Sequence, residues 1–296
     1  MDLIHKIMPK KHRREVLKSL ALAVPAIFMA SNLFADSNLP KAKVSIGACD
    51  WSMGMHSNPE AMGVASEIGL DGVQVSLGKV DNDMHLRKRE IQQQYKTLSK
   101  KYKVKISSLA IGELNQVPYK SDPRTDQWVS DSIDVAHDMN CEVILLAFFG
   151  NGDLKNDEEG TKRVIEKLQK AASKAEDAGI ILGIESWLDA KEHVRILEEV
   201  NSPNVQVYYD VANSNKMGYD IYKEIKWLGK DRICEFHMKE NGFLLGEGLI
   251  DFQKVRKSID TLNYKGWVHI EGAVPQGKSM KESYIHNLNY LREIYK

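Results

Sequence analysis

Short apolar runs alternate with longer amphipathic stretches along most of this chain. The runs are rich in β-branched and aromatic residues, and they predict strands at residues 43–49, 72–78, 105–111, 142–149, 180–186, 205–211, 233–239 and 267–272. Apolar positions recur with the helical period over residues 59–68, 84–102, 123–138, 156–178, 189–199, 219–228, 251–262 and 279–294. Strands that alternate with helices in this way predict βαβ units, and eight such units can close into a single (β/α)8 TIM barrel of the α/β class.

An open, doubly wound sheet that binds a nucleotide is the main competing fold. That fold normally carries a glycine-rich loop directly after its first strand. Here the first strand continues into residues 50–56, Asp-Trp-Ser-Met-Gly-Met-His, which lack the required glycines. The sequence therefore favours the barrel.

The first 35 residues differ in character from the rest. Basic residues that include the pair Arg13-Arg14 precede an apolar run, residues 20–34, which Pro25 interrupts. A charged region followed by a short apolar one is typical of an export signal, and the run is too short and too broken for a transmembrane helix. Residues 12–18, His-Arg-Arg-Glu-Val-Leu-Lys, resemble a twin-arginine signal. We expect residues 1–35 to be a signal peptide cleaved after Ala35, with Ala30 as a second candidate position, and residues 36–296 to be the barrel domain. An uncleaved basic anchor helix is the alternative.

Cleavage would place the mature protein in the periplasm or outside the cell, with no stable membrane anchor. It would remove six of 41 basic and two of 41 acidic residues, leaving a net charge of about −4. A mildly acidic body is poorly suited to nucleic acid, so none is expected as a partner. Three cysteines are too few, and odd in number, for a disulfide framework. The oligomeric state stays open, and a homo-oligomer is one of the alternatives.

Four residues that could bind one metal ion lie near the C-terminal ends of the last four predicted strands. They are Glu185, Asp210, His237 and Glu271, at spacings of 25, 27 and 34 residues. In a parallel barrel these strand ends converge on one mouth. Three neighbouring carboxylates would repel one another, and a divalent cation removes that cost. The oxygen-rich set suits Mn²⁺, the expected ion, as well as Mg²⁺, Co²⁺ or Zn²⁺. For any one acid alone, capping of a helix or pairing with a lysine is the simpler explanation, but four corresponding positions favour a metal site.

The sequence around these positions carries a family resemblance from about residue 43 to residue 294. Its most specific pieces are Gly183-Ile184-Glu185, Asp210-Val211-Ala212-Asn213, His237-Met238-Lys239-Glu240, residues 245–252 (Leu-Gly-Glu-Gly-Leu-Ile-Asp-Phe) and His269-Ile270-Glu271. These pieces resemble the xylose isomerase-like TIM barrels, the sugar phosphate isomerase/epimerase superfamily. That superfamily includes ketose 3-epimerases and type IV apurinic endonucleases.

The resemblance implies roles for the four candidate ligands. In ketose epimerases of this superfamily, the residues matching Glu185 and Glu271 bind the metal and also move protons on opposite faces of the substrate carbon. Asp210 and His237 match the two remaining ligands. Removal of a proton next to a carbonyl requires stabilisation of the resulting enediolate, which a divalent ion provides as a Lewis acid.

Several positions depart from the pattern of the known epimerases. Asn213 stands in place of a His, Phe243 in place of an Arg, Gln74 in place of the acidic residue of the second strand, and Glu240 in place of an Asp. These departures imply an intact metal core with a different set of substrate contacts.

Other residues near the predicted mouth are candidates for weaker roles. Lys239 could act in catalysis by polarising a substrate oxygen, or could pair with Glu240 or Glu247 at the rim. His269 lies one strand step deeper than Glu271, so we expect a supporting or core role for it rather than that of a fifth ligand. The candidate substrate contacts are Trp51, His56, Phe149, Trp187 and Asn213.

These features predict a metal-dependent isomerase or epimerase that acts on a non-phosphorylated sugar or keto-sugar through an enediolate. The compartment supports this choice, because phosphorylated sugars are mostly kept inside cells. The runner-up is a lyase that cleaves 3-keto-glycosides by β-elimination. An apurinic endonuclease would need extra histidines on the second and third strands, where this chain has Gln74, Ser76, Ser107, Ser108 and Ile111. A sugar-binding protein without catalysis is the last alternative.

Overall fold

The strands of the protein close into a parallel barrel. The computed structural model describes residues 42–296, and in it the eight strands follow one another around the barrel in chain order. Pairing of the first strand with the last completes the ring. The strands are β1 Lys43–Cys49, β2 Gly72–Ser76, β3 Lys105–Ile111, β4 Val143–Phe148, β5 Ile181–Ser186, β6 Val205–Asp210, β7 Ile233–Met238 and β8 Lys265–Ile270. The predicted (β/α)8 TIM barrel is confirmed.

Helices connect successive strands on the outside of the barrel. Within residues 42–296 the α-helices are α1 Ala61–Ile68, α2 Arg89–Tyr102, α3 Arg124–Met139, α4 Glu158–Ala178, α5 Ala190–Val200, α6 Val211–Lys216, α7 Ile221–Leu228, α8 Phe252–Asp260 and α9 Met280–Ile294. Eight of them correspond to the predicted helices. The short helix α6 was not predicted.

Two predicted boundaries were wrong, each for a local reason. The last strand begins at Lys265 rather than at residue 267, because it pairs with β1 from Lys43 onward, and it ends before Glu271. The predicted helix 84–102 begins only at Arg89, because Met84 has a positive φ of 46° and starts a separate 3₁₀ turn.

Most of the described helices begin with a side-chain cap at the C-terminal mouth of the barrel. Asp157, Asp189, Asp220 and Asp251 each accept a hydrogen bond from the backbone N–H three residues ahead. Such caps replace a hydrogen bond that the first helical turn cannot make by itself. They fix where the chain leaves each loop at the C-terminal mouth and enters the outer helix.

The barrel interior has an apolar wall and a polar column. Ala110, Val143, Leu145 and Ala147 are packed together on the wall formed by β3 and β4. The other interior side chains that concern the site are polar and buried: Gln74, Ser108, Tyr208, Glu235, His237 and His269. Buried polar groups are tolerated only when they are hydrogen-bonded, so this column must form a network.

The cysteines, the possibility of a membrane span and the signal peptide were three further subjects of prediction. Cys49, Cys141 and Cys234 are free and buried, as the odd number suggested. No helix between residues 42 and 296 is long and apolar enough to cross a membrane. The expected signal peptide, residues 1–35, lies outside the residues that the structure describes.

Candidate metal centre and active site

The four predicted ligands meet at the C-terminal mouth of the barrel. One ligand atom from each of Glu185, Asp210, His237 and Glu271 lies within 4.8 Å of all the others. Glu185 and His237 lie within β5 and β7, Asp210 ends β6, and Glu271 follows directly on β8. The alternation of side chains along a strand turns all four toward the barrel axis. The fold thus gathers residues that are up to 86 positions apart in the sequence.

His237 lies at the floor of this cluster with its Nδ1 atom toward the acids. Nδ1 is 3.0 Å from Oε1 of Glu185, 3.7 Å from Oε2 of Glu271 and 3.9 Å from Oδ2 of Asp210. The opposite ring nitrogen, Nε2, is 2.9 Å from Oε1 of Gln74. The imidazole therefore presents one nitrogen to the cluster and is held from behind by the other.

Asp210 uses its two carboxylate oxygens differently. Oδ1 accepts hydrogen bonds from the backbone N–H groups of Ala212 and Asn213, at 2.7 and 2.8 Å, and so caps helix α6. Oδ2 is buried and has no hydrogen-bond partner among the described residues. A buried carboxylate oxygen without a partner is costly unless something compensates it. Capping and ligation are therefore not alternatives here, because the cap leaves one oxygen free toward the cluster.

Lys239 adds a positive charge to the cluster. Its Nζ donates a hydrogen bond to Oε2 of Glu271 at 2.7 Å and lies 3.7 Å from Oδ2 of Asp210. The pairing with Glu240 or Glu247 considered from the sequence is wrong, because the ion pairs of Lys239 are with Glu271 and Asp210. Lys239 points into the site rather than along the rim.

The two acids nearest Lys239 have opposite pKa shifts. Burial raises the pKa of Asp210, and the negative charges of Glu185 and Glu271 add to this effect against the opposing charge of Lys239. Burial also disfavours the charged form of Glu271, but His237 and Lys239 outweigh it and hold its pKa below the ordinary value. One acid of the cluster thus resists ionisation, because it is buried and lies close to two other carboxylates.

The donor set fits a divalent metal ion. Glu185, Asp210 and Glu271 offer three carboxylate oxygens, and His237 offers the nitrogen that faces them. The unpartnered Oδ2 of Asp210 is aimed at the same point. Hard oxygen ligands with one imidazole match Mn²⁺, Mg²⁺, Co²⁺ or Zn²⁺. The structure thus brings together all four residues predicted as ligands in a site that can hold a metal ion.

A cavity of about 410 Å³ opens above the cluster. This volume is within the range of pockets that hold small molecules. Its wall includes every residue predicted from the sequence as a catalytic or substrate contact: Glu185, Glu271, Lys239, Trp51, His56, Phe149, Trp187 and Asn213. Asp210 and His237 lie beneath it. The structure therefore brings the predicted substrate contacts to the same mouth as the candidate ligands.

The aromatic residues that line this cavity make two kinds of contact. Phe149 and Trp187 contact each other edge to face, with ring centroids 4.9 Å apart. Trp51 donates a hydrogen bond from its indole N–H to Oε1 of Glu271, at 2.8 Å. The first pair offers apolar surface, whereas Trp51 also holds a carboxylate of the cluster in place.

The two polar candidates for substrate contact have different surroundings. Asn213 lies in the first turn of α6, and its Nδ2 is 3.4 Å from Oε1 of Glu185. His56 is half-buried, and burial together with the charges of Lys79 and His85 lowers its pKa to about 4. His56 is therefore neutral near pH 7 and can both donate and accept a hydrogen bond.

The sequence placed Gln74 among the changed substrate contacts and gave Tyr208 no part in this site, but Gln74 does not line the cavity. Gln74 contacts His237 from β2, and Tyr208 lies directly beneath, on β6. Tyr208 could have been found, because it precedes Asp210 by two positions and so faces the same way. His269 has the supporting position expected of it: it is fully buried and hydrogen-bonds Ser107 and Tyr208 at 2.7 Å.

The family model described as a xylose isomerase-like TIM barrel matches residues 62–294 of this chain. A protein of Escherichia coli strain K12, provisionally named an L-ribulose-5-phosphate 3-epimerase, is 26% identical over 237 residues. The match covers 72% of this chain and 82% of that protein. A D-psicose 3-epimerase from Enterocloster bolteae is 24% identical over 134 residues, covering 42% of this chain and 44% of the relative.

Solved structures add a comparison of the folds. A D-psicose 3-epimerase from Clostridium cellulolyticum H10, solved with D-tagatose, superposes with a TM-score of 0.73 at 15% identity, over 86% of this chain and all of that one. A 3-keto-D-glucoside 4-epimerase from E. coli gives a TM-score of 0.70 at 15% identity, over 85% of this chain and all of that one. At this identity the likeness concerns the fold alone. With the family model matching most of its length, the chain belongs to the xylose isomerase-like TIM barrel family.

Proposed function

We propose that this protein is a divalent-metal-dependent isomerase or epimerase of a non-phosphorylated sugar or keto-sugar. The observation that carries the proposal is the convergence of three carboxylates and one imidazole beneath a sugar-sized cavity. Relatives named as sugar epimerases support the reaction class. Mn²⁺ is our first choice of ion, with Mg²⁺, Co²⁺ or Zn²⁺ as the others that the ligands suit.

Glu185, Asp210, His237 and Glu271 would hold the ion. When bound, it would act as a Lewis acid on the substrate carbonyl and neighbouring hydroxyl. Asp210 and His237 do not line the cavity, so their proposed role is to bind the ion alone. Glu185 and Glu271 also line the cavity, and so they can reach the substrate as well.

Glu185 and Glu271 are the proposed proton-transferring groups. They approach the cavity from β5 and from the end of β8, so a substrate carbon between them meets one carboxylate on each face. One carboxylate removes the proton next to the carbonyl and the other returns a proton. Return to the opposite face of the same carbon is epimerisation, and return to the neighbouring carbon is isomerisation. Lys239, 2.7 Å from Glu271, favours the ionised form of that base.

The charge of the cavity wall supports a substrate without phosphate. Among the described residues that line the cavity, Lys239 is the one side chain with a permanent positive charge, and it is paired with Glu271. Recognition of a phosphate usually relies on arginine, on free lysine or on a helix N-terminus. The E. coli relative is named for a phosphorylated sugar, so we propose that this chain differs from it in substrate.

Cleavage of a 3-keto-glycoside by β-elimination is the second candidate. It needs the same proton abstraction, followed by loss of the group on the next carbon instead of reprotonation. The similarity of the fold to that of a 3-keto-D-glucoside 4-epimerase favours keto-glycosides among the substrates to be tested. Release of a free aglycone or a reducing sugar would separate this candidate from an epimerase.

Two remaining candidates have less support. An apurinic endonuclease would need extra histidines on β2 and β3. This chain has Gln74 and Ser108 there, and both are buried and hydrogen-bonded inside the barrel. A sugar-binding protein without catalysis would not need two acids that reach the cavity beside Lys239.

Solvent-deuterium exchange tests the proposal. The Mn²⁺-loaded mature chain is incubated in D₂O with ketoses, 3-keto-sugars and glycosides, and exchange is followed by NMR. We expect exchange at one carbon of the true substrate, and a loss of about 100-fold or more in Glu185→Gln and Glu271→Gln. Glu224→Gln is the matched control, because Glu224 is a half-buried acid of α7 away from the cavity. Unchanged exchange in both active-site variants would contradict the mechanism.

A further inference from the structure

A column of hydrogen bonds runs down the barrel interior from the candidate metal centre. Nε2 of His237 is 2.9 Å from Oε1 of Gln74, and Nε2 of Gln74 is 3.1 Å from the hydroxyl of Tyr208. The Tyr208 hydroxyl is 2.7 Å from Nδ1 of His269, whose Nε2 is 2.7 Å from the hydroxyl of Ser107. All five side chains are buried. The column joins β2, β3, β6, β7 and β8 across the axis of the barrel.

The side-chain amide of Gln74 determines which groups in this column donate hydrogen bonds and which accept them. Its NH₂ group has two protons and faces two hydroxyl oxygens, those of Ser108 and Tyr208, both at 3.1 Å. Each hydroxyl has another group that can take its proton. Ser108 hydrogen-bonds the carboxyl of Glu235, and Tyr208 has Nδ1 of His269. Both hydroxyl oxygens are therefore free to accept from Gln74. The carbonyl oxygen of the amide faces His237 and the thiol of Cys49, which donates to it at 3.3 Å.

The direction of the amide sets the tautomer of His237. A carbonyl oxygen can only accept, so Nε2 of His237 must carry a proton and donate it to Gln74. When the imidazole is neutral, Nδ1 then has its lone pair, and Nδ1 is the atom that faces the three carboxylates. The reversed amide would put an N–H against Nε2, so Nδ1 would carry the proton and could not bind a cation.

We propose that Gln74 is a positioning residue that fixes His237 in the tautomer able to bind the metal, with Ser108 and Tyr208 anchoring the amide. The inference rests on the proposed function, because it assumes that a metal binds at the four ligands. Gln74 does not line the substrate cavity and is not one of the four ligands. Its carbonyl oxygen contacts His237 and also accepts from the thiol of Cys49 at 3.3 Å, so its proposed effect on the ion passes through His237. Groups that orient a ligating histidine typically change metal affinity by about 10- to 100-fold when they are removed.

Substitution of Gln74 by methionine removes the acceptor while keeping side-chain length. We expect Gln74→Met to weaken Mn²⁺ binding about 10- to 100-fold in a titration followed by electron paramagnetic resonance. Gln92→Met is the matched control, since Gln92 is also buried and hydrogen-bonded, but to the backbone of Leu86 outside the barrel. The control should bind Mn²⁺ with the affinity of the unmodified protein.

A spectroscopic readout separates positioning from general damage. In protein with ¹⁵N-labelled histidine and excess Mg²⁺, long-range ¹H–¹⁵N cross-peaks distinguish the two tautomers of His237. We expect the Nε2–H form in the unmodified protein and in Gln92→Met, and loss of this single form in Gln74→Met. Gln74→Glu keeps an oxygen toward His237, so it should retain the Nε2–H form and bind Mn²⁺ at least as tightly as the unmodified protein.

The outcomes distinguish this inference from the proposed function. Binding of Mn²⁺ by Gln74→Met with unchanged affinity and the Nε2–H form would overturn the role of Gln74 and leave the metal centre intact. Weaker binding by Gln74→Glu than by Gln74→Met would also overturn it, since the acceptor would then not matter. Absence of Mn²⁺ binding by the unmodified protein would overturn the metal centre, and the inference with it.

Discussion

The side chain of Asp210 has both a structural role and a place in the candidate metal site. One oxygen caps α6, and the other faces the cluster without a hydrogen-bond partner among the described residues. Glu271 is similarly divided, because Oε1 accepts from Trp51 and Oε2 accepts from Lys239. The same side chains thus hold loops at the mouth of the barrel and offer oxygens to the candidate metal site.

The hydrogen bond from Trp51 to Glu271 can be tested by a single substitution. Trp51→Phe keeps an aromatic ring but removes the N–H that donates to Glu271, so the ionised base loses a partner. A hydrogen bond to a charged group contributes about 1.5–3 kcal/mol, and we expect kcat to fall about tenfold or more with a smaller change in KM. Steady-state kinetics on the substrate found by deuterium exchange measure both constants.

Trp187→Phe is the control for Trp51→Phe. Trp187 lies on the cavity wall against Phe149, so its truncation should act mainly on substrate binding and raise KM. Equal losses of kcat in the two variants would show that Trp51 acts as packing only.

The sequence predicted the ligands better than it predicted their partners. Glu185, Asp210, His237 and Glu271 could be found because strand periodicity and the barrel rule place them at one mouth. The contact between Gln74 and His237 joins residues 163 positions apart and depends on the side-chain packing across the barrel. No local pattern encodes such a pairing, which is why the role of Gln74 appears only in the structure.

Helices and strands could be predicted where the hydrophobic pattern repeats over enough residues to be recognised. Every predicted strand and helix is found, and most ends agree within two residues. Helix α6 was missed because it has only six residues and depends on the Asp210 cap rather than on an amphipathic pattern. Short helices of this kind gain their stability from capping and tertiary contacts.

Gly183 of β5 makes a prediction about the packing of the barrel interior. A Cβ at this position would lie 2.7 Å from Sγ of Cys234 and 3.2 Å from Cβ of Tyr208. We expect Gly183→Ala to lower the free energy of unfolding by about 1–3 kcal/mol, because neighbouring strands must shift to admit the methyl group. Urea-induced unfolding measures the change.

Gly112→Ala is the matched control for Gly183→Ala. A Cβ at Gly112 meets no atom within 4 Å, and its φ is not positive. The substitution should change the free energy of unfolding by no more than about 0.5 kcal/mol. Equal effects at the two glycines would mean that the interior is less tightly packed than the structure implies.

His193 links α5 to the end of β5 and gives the fold a defined acid sensitivity. Its ring hydrogen-bonds Ser186 and the backbone of Asp189, and burial lowers its pKa from 6.5 to about 4. The unfolded chain therefore binds a proton more readily than the folded one, and stability falls as the pH drops from about 6.5 toward 4. Between pH 7 and pH 5 this one group accounts for a loss of about 2 kcal/mol.

Comparison of the unmodified protein with His193→Gln isolates that contribution. The variant lacks the titrating ring, so its free energy of unfolding should fall about 2 kcal/mol less between pH 7 and pH 5. His56, whose pKa is also lowered, is present in both proteins and cancels in the difference. The same pH dependence in both proteins would contradict the assignment of a buried, neutral His193.

On the scale of the whole molecule, we propose that the barrel is exported in its folded form. The twin-arginine-like string at residues 12–18 is the basis of this proposal. Folding around a chosen ion inside the cell would protect an oxygen-rich site from copper and zinc, which bind more tightly than Mn²⁺. The mature chain would then act on sugars or glycosides outside the cytoplasm.

The paired arginines allow the export route to be tested. Arg13→Lys together with Arg14→Lys keeps the positive charge and should leave the full-length precursor inside the cell, since a twin-arginine signal is read by the arginines themselves. Fractionation with detection of the barrel measures the distribution. Lys10→Arg together with Lys11→Arg is the control that preserves export, and export that persists without the arginine pair would contradict this route.

The central claim is that one divalent ion is bound by three carboxylates and an imidazole at the mouth of the barrel. A calorimetric titration of metal-free protein with Mn²⁺ tests it most directly. Asp210→Asn keeps the oxygen that caps α6 and replaces the one that faces the cluster, while Asp189→Asn alters the cap of α5 away from it. We predict one Mn²⁺ per chain for the unmodified protein and for Asp189→Asn, and binding weaker by about 100-fold or more for Asp210→Asn. No binding by the unmodified protein, or equal binding by all three, would contradict the account.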